Sequence, residues 1–260
     1  MNAHTKQLTL MAAATAALFS LPAQAVTIDF LYQVPTDNSG KTSRFINADN
    51  TADASSGYYI ETFDPTGGCG LVSLSPGDIV VSLGTFAIDS GSVSGERAMP
   101  AGDETCYAYG PGPNSGGTIA TVRVNYDGFL QPGVKISYLG LYYGSIDTYN
   151  NIAFYDENGL LAVGGSGMLA DGIIQGSEIL ALLGGVSGNQ VDDKSNVYVN
   201  IFFDDNEAFT AFEFMTTRIA FEVDNIVTGL TTRNQQVPEP ASLALLGLGL
   251  LCLAGMRRKA

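Results

Sequence analysis

From residue 26 to residue 227, apolar side chains recur at every second position in short runs, and no stretch keeps the 3.6-residue period of a long amphipathic helix. The clearest run is 197–203, where Val197, Val199, Ile201 and Phe203 share one face. Residues 26–34, 57–63, 79–88, 118–126, 134–143, 211–215 and 218–227 read as further strands. Turn residues punctuate them, among them Pro65-Thr66-Gly67-Gly68 and Pro76-Gly77-Asp78. Glu157-Asn158-Gly159, between runs at 151–156 and 160–163, carries the Asn-Gly pair of a tight hairpin. One short helix is expected near Ser177-Glu178. Many short strands without a βαβ rhythm predict an all-β fold, an antiparallel β-sandwich that is jelly-roll-like.

The two ends follow other rules. Residues 1–7 are polar and carry Lys6, residues 8–21 are apolar and Ala-rich, Pro22 breaks the run, and Ala23-Gln24-Ala25 is a small-x-small cleavage site. This is the pattern of a signal peptide over residues 1–25, removed by signal peptidase to leave Val26 first. At the other end, Val237-Pro238-Glu239-Pro240 precedes a 16-residue apolar run at 241–256 and then Arg257, Arg258 and Lys259. The run is near the short end of what spans a bilayer, and the basic cluster acts as a cytoplasmic stop. The expected organisation is therefore a signal peptide at 1–25, a β-sandwich at 26–227, a polar linker at 228–237, and a C-terminal segment at 238–260 with a single transmembrane helix.

Those C-terminal residues resemble the PEP-CTERM sorting signal of Gram-negative bacteria. The resemblance implies a partner, exosortase, a membrane-embedded cysteine transpeptidase that cuts near Pro-Glu-Pro. It also implies export through the inner membrane, transient anchoring by the C-terminal helix, and delivery to the cell surface or an exopolysaccharide-containing matrix. Two further segments are similar to the Npun-type exosortase-dependent surface proteins. One is Gly140-Leu141-Tyr142-Tyr143-Gly144-Ser145-Ile146-Asp147-Thr148-Tyr149-Asn150. The other is Ala220-Phe221-Glu222-Val223-Asp224-Asn225-Ile226, which follows the Tyr198-Val199-Asn200-Ile201-Phe202-Phe203 strand. The similarity covers residues 138–227, and Tyr143 stands where that family usually has Trp. It implies a secreted β-sandwich surface protein and brings no established enzymatic activity with it.

Composition narrows the chemistry. Residues 26–236 hold eight basic and 25 acidic side chains, a net charge of −17. Such a domain repels nucleic acid and anionic lipid and attracts divalent cations. The chain's one histidine, His4, lies in the signal peptide, which excludes histidine-dependent triads and the usual zinc sites from the mature protein. A glycosidase using two carboxylates survives this filter, although no pair can be nominated from sequence. Cys252 lies in the apolar C-terminal run. That leaves Cys69 and Cys106, expected to pair in an oxidising compartment and to contribute about 3 kcal/mol; two buried free thiols are the alternative.

Two candidate sites follow. Glu222 and Asp224 alternate onto one face of the last strand beside Asn225, and can supply oxygen ligands for Ca²⁺. Asp29 in the first strand is a third ligand by analogy of fold; the alternative is a solvated acidic face. With no Trp in the chain, stacking on a sugar would fall to tyrosines in or beside turns, above all Tyr142, Tyr143 and Tyr149. Adjacent tyrosines on a strand point to opposite faces, so the alternative has one packed in the core and one covering the surface. The expected function is a non-enzymatic surface or matrix protein, with a calcium-braced carbohydrate-binding module as the second reading.

Overall fold

The computed structural model describes residues 26–72, 80–82, 85–113, 115–126, 128–161, 168–204 and 207–231. The expected signal peptide, the Gly-rich stretch 164–167 and the sorting segment lie outside these residues. The chain divides into a unit ending at Leu230 and a second one from Thr231 onward, of which only Thr231 is described.

The strands are β1 (Thr27–Asp29), β2 (Tyr58–Glu61), β3 (Val80–Ser82), β4 (Ala87–Ser90), β5 (Cys106–Gly110), β6 (Ala120–Asn125), β7 (Ile136–Gly144), β8 (Asn150–Asp156), β9 (Gly159–Leu160), β10 (Ile173–Gln175), β11 (Val197–Phe202), β12 (Ala211–Thr216) and β13 (Phe221–Leu230). One α-helix, α1 (Gly176–Leu183), follows β10. It begins where Ser177-Glu178 suggested, with the Glu178 carboxylate accepting the Gln175 N–H at 2.8 Å. All the pairings are antiparallel. The first sheet runs β1-β11-β7-β13-β5-β4, with β2 also on β13; the second runs β10-β8-β12-β6-β3, with β9 on β8. The Asn158-Gly159 turn closes the β8–β9 hairpin, which pairs Tyr155 with Leu160.

The period-two alternation fills the space between the sheets. Leu139, Leu141 and Tyr143 of β7, Val197, Val199 and Ile201 of β11, and Phe221 and Val223 of β13 meet Ile152 and Phe154 of β8 and Phe212 and Phe214 of β12. Phe221 stacks on Tyr143 of its own sheet at 4.7 Å and bridges to Phe214 of the other at 5.1 Å. Cys69 and Cys106 are joined by a disulfide between residues 37 apart.

The other face of the first sheet is also buried, and this was not expected. Tyr138, Tyr142, Tyr198, Asn200, Glu222 and Asp224 are at most 3% exposed. The loop segments 31–56 and 91–105 cover them and form a third, polar layer. Ser43 Oγ and Tyr138 Oη lie 2.8 Å apart, Tyr138 donates to Asn200 Oδ1 at 2.7 Å, and the Tyr142 hydroxyl bonds the Ala101 carbonyl. Contact is close enough to require glycine at two places. A Cβ on Gly140 would lie 2.2 Å from the Tyr138 hydroxyl, and one on Gly40, which has φ +77°, would lie 2.5 Å from the Tyr142 ring.

Asn225 fastens this layer. It sits at φ 49° in a bulge of β13, a left-handed conformation that Asn tolerates better than most residues. Its amide donates to Ser39 O at 2.8 Å and Lys41 O at 3.1 Å, and its Oδ1 accepts from Asn50 Nδ2 at 2.6 Å. On one edge of β13, residues 221–223 pair with β5 and residues 226–229 pair with β2, so the bulge falls where one neighbour gives way to the other. β13 runs on through Leu230, where a polar linker was expected from residue 228. Thr228 is buried and pairs with Tyr59 and Leu139, so the sheet claims the first linker residues.

Glu61, at the end of β2, borders an apolar cavity of about 30 Å³ lined by Phe63, Val122, Phe212 and Phe214. Burial raises its carboxyl to about 7, against the N–H groups of Val72 and Phe63 that favour the charge; the charge on Asp64 raises it further.

Two outcomes follow from this packing. Asn225→Ala strands several buried polar groups and puts a Cβ-bearing residue without a local hydrogen bond at positive φ, and should cost about 3 kcal/mol in denaturant unfolding. For Glu61, the folded-state value lies above the unfolded value of 4.5. Stability is therefore fullest below the unfolded value and is lost as pH rises through about 7. Glu61→Gln should flatten that decline and exceed wild type above pH 7 by on the order of 2–3 kcal/mol. Parallel pH–stability curves for the two proteins would contradict this.

Candidate functional site

An open groove of about 560 Å³ lies at the end of the first sheet, where the loop at 92–98 faces the turn after β7 and the entry to β13. Its walls carry Ser94, Glu96, Asp147, Tyr149, Gln190 and Ile219. β7 ends at Gly144, and the following turn projects Asp147 and Tyr149 together. The Tyr149 hydroxyl donates to Asp147 Oδ2 at 2.6 Å, and it also lies 2.8 Å from the Ile219 carbonyl. Ser187 donates to Asp147 Oδ1 at 2.7 Å. The Arg218 guanidinium lies 5.5 Å from the centroid of the Tyr149 ring.

Glu222 lies behind this wall. Its Oε1 accepts the Ala98 N–H at 2.8 Å and its Oε2 the Ser145 hydroxyl at 2.8 Å. Burial is the main reason its carboxyl rises to about 7; these two bonds oppose the rise and the charge on Asp147 adds to it. On the opposite wall Arg97 is held by Asp89 at 2.7 Å and Glu96 at 2.6 Å, and packs 4.8 Å from the Tyr109 ring centroid. The groove is thus rich in hydrogen-bonding groups, with Asp147 and Glu222 buried against their partners and Glu96 paired with Arg97. Exposed Val93 and Ile219 give it apolar rims.

The tyrosines singled out from sequence separate. Tyr149 is half-buried in the groove. Tyr143 is fully buried, stacked on Phe221 with its hydroxyl donating to Asn150 O at 3.1 Å, so it cannot meet a ligand. Tyr142 points the other way and is equally buried, beneath Gly40 and Ala101. Both are packing residues, because both faces of β7 are covered.

The three acidic residues expected to share a calcium ion do not come together. Asp29 on β1 is three strand positions from β13 in the sheet, about 14 Å at ordinary strand spacing. Its carboxylate is taken by Arg44 at 2.9 Å and Asn200 at 2.7 Å. Glu222 is saturated by Ala98 and Ser145. Asp224 alone has neither carboxylate oxygen hydrogen-bonded. Sequence reasoning missed Glu96, Asp147 and Gln190, which come from three loops far apart in the chain. The Asp147-x-Tyr149 spacing was the one local signal available.

The C-terminal residues identify how the chain is handled. Residues 236–259 match the family model described as the PEP-CTERM protein-sorting motif. This chain carries a PEP-CTERM sorting signal. The motif marks an exported protein sorted to the cell surface, with exosortase as its processing enzyme. No curated protein and no solved structure matches the chain significantly. Among the described residues no helix is long and apolar enough to cross a membrane, and the expected helix at 241–256 lies outside them.

Proposed function

We propose that this is a non-enzymatic surface protein of a Gram-negative bacterium, transiently anchored by its C-terminal helix, released by exosortase, and retained in the extracellular matrix by binding exopolysaccharide. The sorting motif at 236–259 carries the reading. The resemblance of residues 138–227 to Npun-type surface proteins supports it, as do the two antiparallel sheets that share one core.

The groove beside Tyr149 is the binding surface in this reading. Its volume suits a short saccharide segment. Its hydroxyl, amide and carboxylate groups match sugar hydroxyls, and Val93 and Ile219 match the apolar faces of the rings. Half-buried Glu96, on a domain of net charge −17, disfavours an anionic polymer, so the ligand is a neutral or amino-bearing glycan. A carboxylate glycosidase is less well supported. Glu222 has the raised value of an acid catalyst, but both its oxygens are committed to Ala98 and Ser145.

Binding of the purified protein to exopolysaccharide from the producing cells, and to a glycan array, tests this. Wild type should bind saturably. Tyr149→Ala should weaken binding about tenfold while the protein still melts cooperatively. Unchanged affinity in that variant would remove the groove from the account. Release of reducing sugar by wild type would overturn the non-enzymatic reading.

A further inference from the structure

One buried carboxyl ties the two walls of the groove together. Glu222 is 2% exposed and borders the groove from the entry to β13. Its Oε1 accepts the Ala98 N–H, from the 92–98 loop, at 2.8 Å. Its Oε2 lies 2.8 Å from Ser145 Oγ, in the turn after β7. Ser145 is buried, borders the groove too, and has an uncommon backbone conformation. Its φ is 35°, on the left-handed side that residues other than glycine rarely adopt. Its N–H is fixed on Asn196 Oδ1 at 2.9 Å, and the Asn196 amide donates in turn to Asn189 O at 2.9 Å and Asp192 O at 3.0 Å. The Ser145 backbone is thus anchored, while its hydroxyl hydrogen turns about one single bond.

The two bonds to Glu222 differ in kind. A backbone N–H can only donate, so Oε1 stays an acceptor whatever the state of the carboxyl. A hydroxyl donates or accepts, and 2.8 Å suits either direction. A proton taken up by Glu222 therefore settles on Oε2 and is given to Ser145 Oγ, which releases the Ser145 hydrogen to point elsewhere. Without that proton Oε2 is an acceptor only, and it keeps the Ser145 hydrogen. Burial first, and then the charge of Asp147, bring the carboxyl to about 7, so both forms are present near neutrality. The other groups around Glu222 are Tyr107 and Tyr109 of β5, Tyr143 of β7, Tyr149, Arg97 and Asp224. Burial holds the four phenols above their ordinary value, so none of them ionises near neutrality. Arg97 is paired with Asp89 and Glu96. Asp224 lies two places along β13, and burial holds its carboxyl well above the ordinary range.

We propose that Ser145 reads the ligand in the groove and that Glu222 controls it: with a proton on Oε2 the Ser145 hydroxyl donates to a hydroxyl oxygen of the bound sugar, and without it that donor is withdrawn. This rests on the groove being the glycan surface. The neighbouring hydroxyls of Tyr149 and Ser187 already donate to Asp147, and the Arg97 guanidinium is held by Asp89 and Glu96. Ser145 is therefore the donor whose availability changes without a charge entering the groove. Glu222 acts on the ligand through Ser145 and is a positioning residue. The exchange makes the groove hold a glycan more tightly on the acid side of neutrality than on the alkaline side.

The test is binding of the purified protein to exopolysaccharide from the producing cells at about pH 5.5 and about pH 8.5, with the Ala98 amide followed by NMR over the same range. Wild type should bind about three- to tenfold more tightly at the lower pH, and the Ala98 resonance should titrate near neutrality. Glu222→Gln, whose amide donates permanently to Ser145 Oγ, should bind at the low-pH strength at both values and lose the Ala98 titration. Ser145→Ala, with no hydroxyl to release, should bind at the high-pH strength at both. Glu61→Gln, which replaces the other carboxyl raised to about 7, should keep the wild-type profile. If Glu222→Gln does not melt cooperatively, Ser145→Ala decides instead. Equal binding by wild type at the two pH values would overturn the proposal and leave the groove reading standing. So would a pH dependence that survives in Glu222→Gln, which would belong to amino groups of the glycan. An Ala98 amide that does not titrate would overturn the proposal whatever the binding. No binding by wild type at either pH would overturn the groove reading, and the proposal with it.

Discussion

The amide of Asn225 fastens segment 31–56 to the outer face of the first sheet at the bulge of β13. A β-sandwich built on period-two alternation buries one face of each sheet and leaves the other to water. Here the outer face of the first sheet is rich in tyrosine, asparagine and carboxylate, and it is buried too. That is tolerable because segments 31–56 and 91–105 supply partners from side chains and backbone, such as Ser43 for Tyr138, Ala101 O for Tyr142 and Ala98 N for Glu222. The bonds from Asn225 to Ser39 and Lys41, and from Asn50 to Asn225, are the centre of that exchange. The bulge that aims Asn225 also switches the edge of β13 from β5 to β2, so backbone pairing and side-chain pairing are fixed at one point.

This third layer explains where reading the sequence succeeded and where it stopped. Strand positions follow from local alternation, which depends only on neighbours in the chain; 197–203 and 211–215 were recovered nearly to the residue. The cover over the outer face has no local signature. Residues 37–56 are polar and turn-rich, and nothing in that composition distinguishes a loop in water from a loop laid across a sheet. Tyr142, Glu222 and Asp224 therefore read as solvent-facing because alternation sends them away from the core, and they are buried because a distant segment folds over them. Tyr149 lies beyond the end of β7, across the groove from the 92–98 loop, and it is the tyrosine of the three that lines a groove.

Function divides in a similar way. The sorting signal is a linear address: a tripeptide, an apolar run and a basic cluster in fixed order, so it is readable without any fold. The groove is assembled from segments far apart in the chain, at 92–98, 145–149, 188–190 and 219–222, and it exists only after the sheets have formed. The acidic balance of the domain bears on both. A net negative charge repels anionic polymers, and burial gives every carboxylate a cost that its hydrogen bonds must offset.

The most direct test of the delivery route is the intact mass of the protein recovered from cells with and without active exosortase. The account predicts a chain beginning at Val26 in both, with the segment after the Pro238-Glu239-Pro240 motif missing only when the enzyme is active. The same C-terminus in both would contradict it.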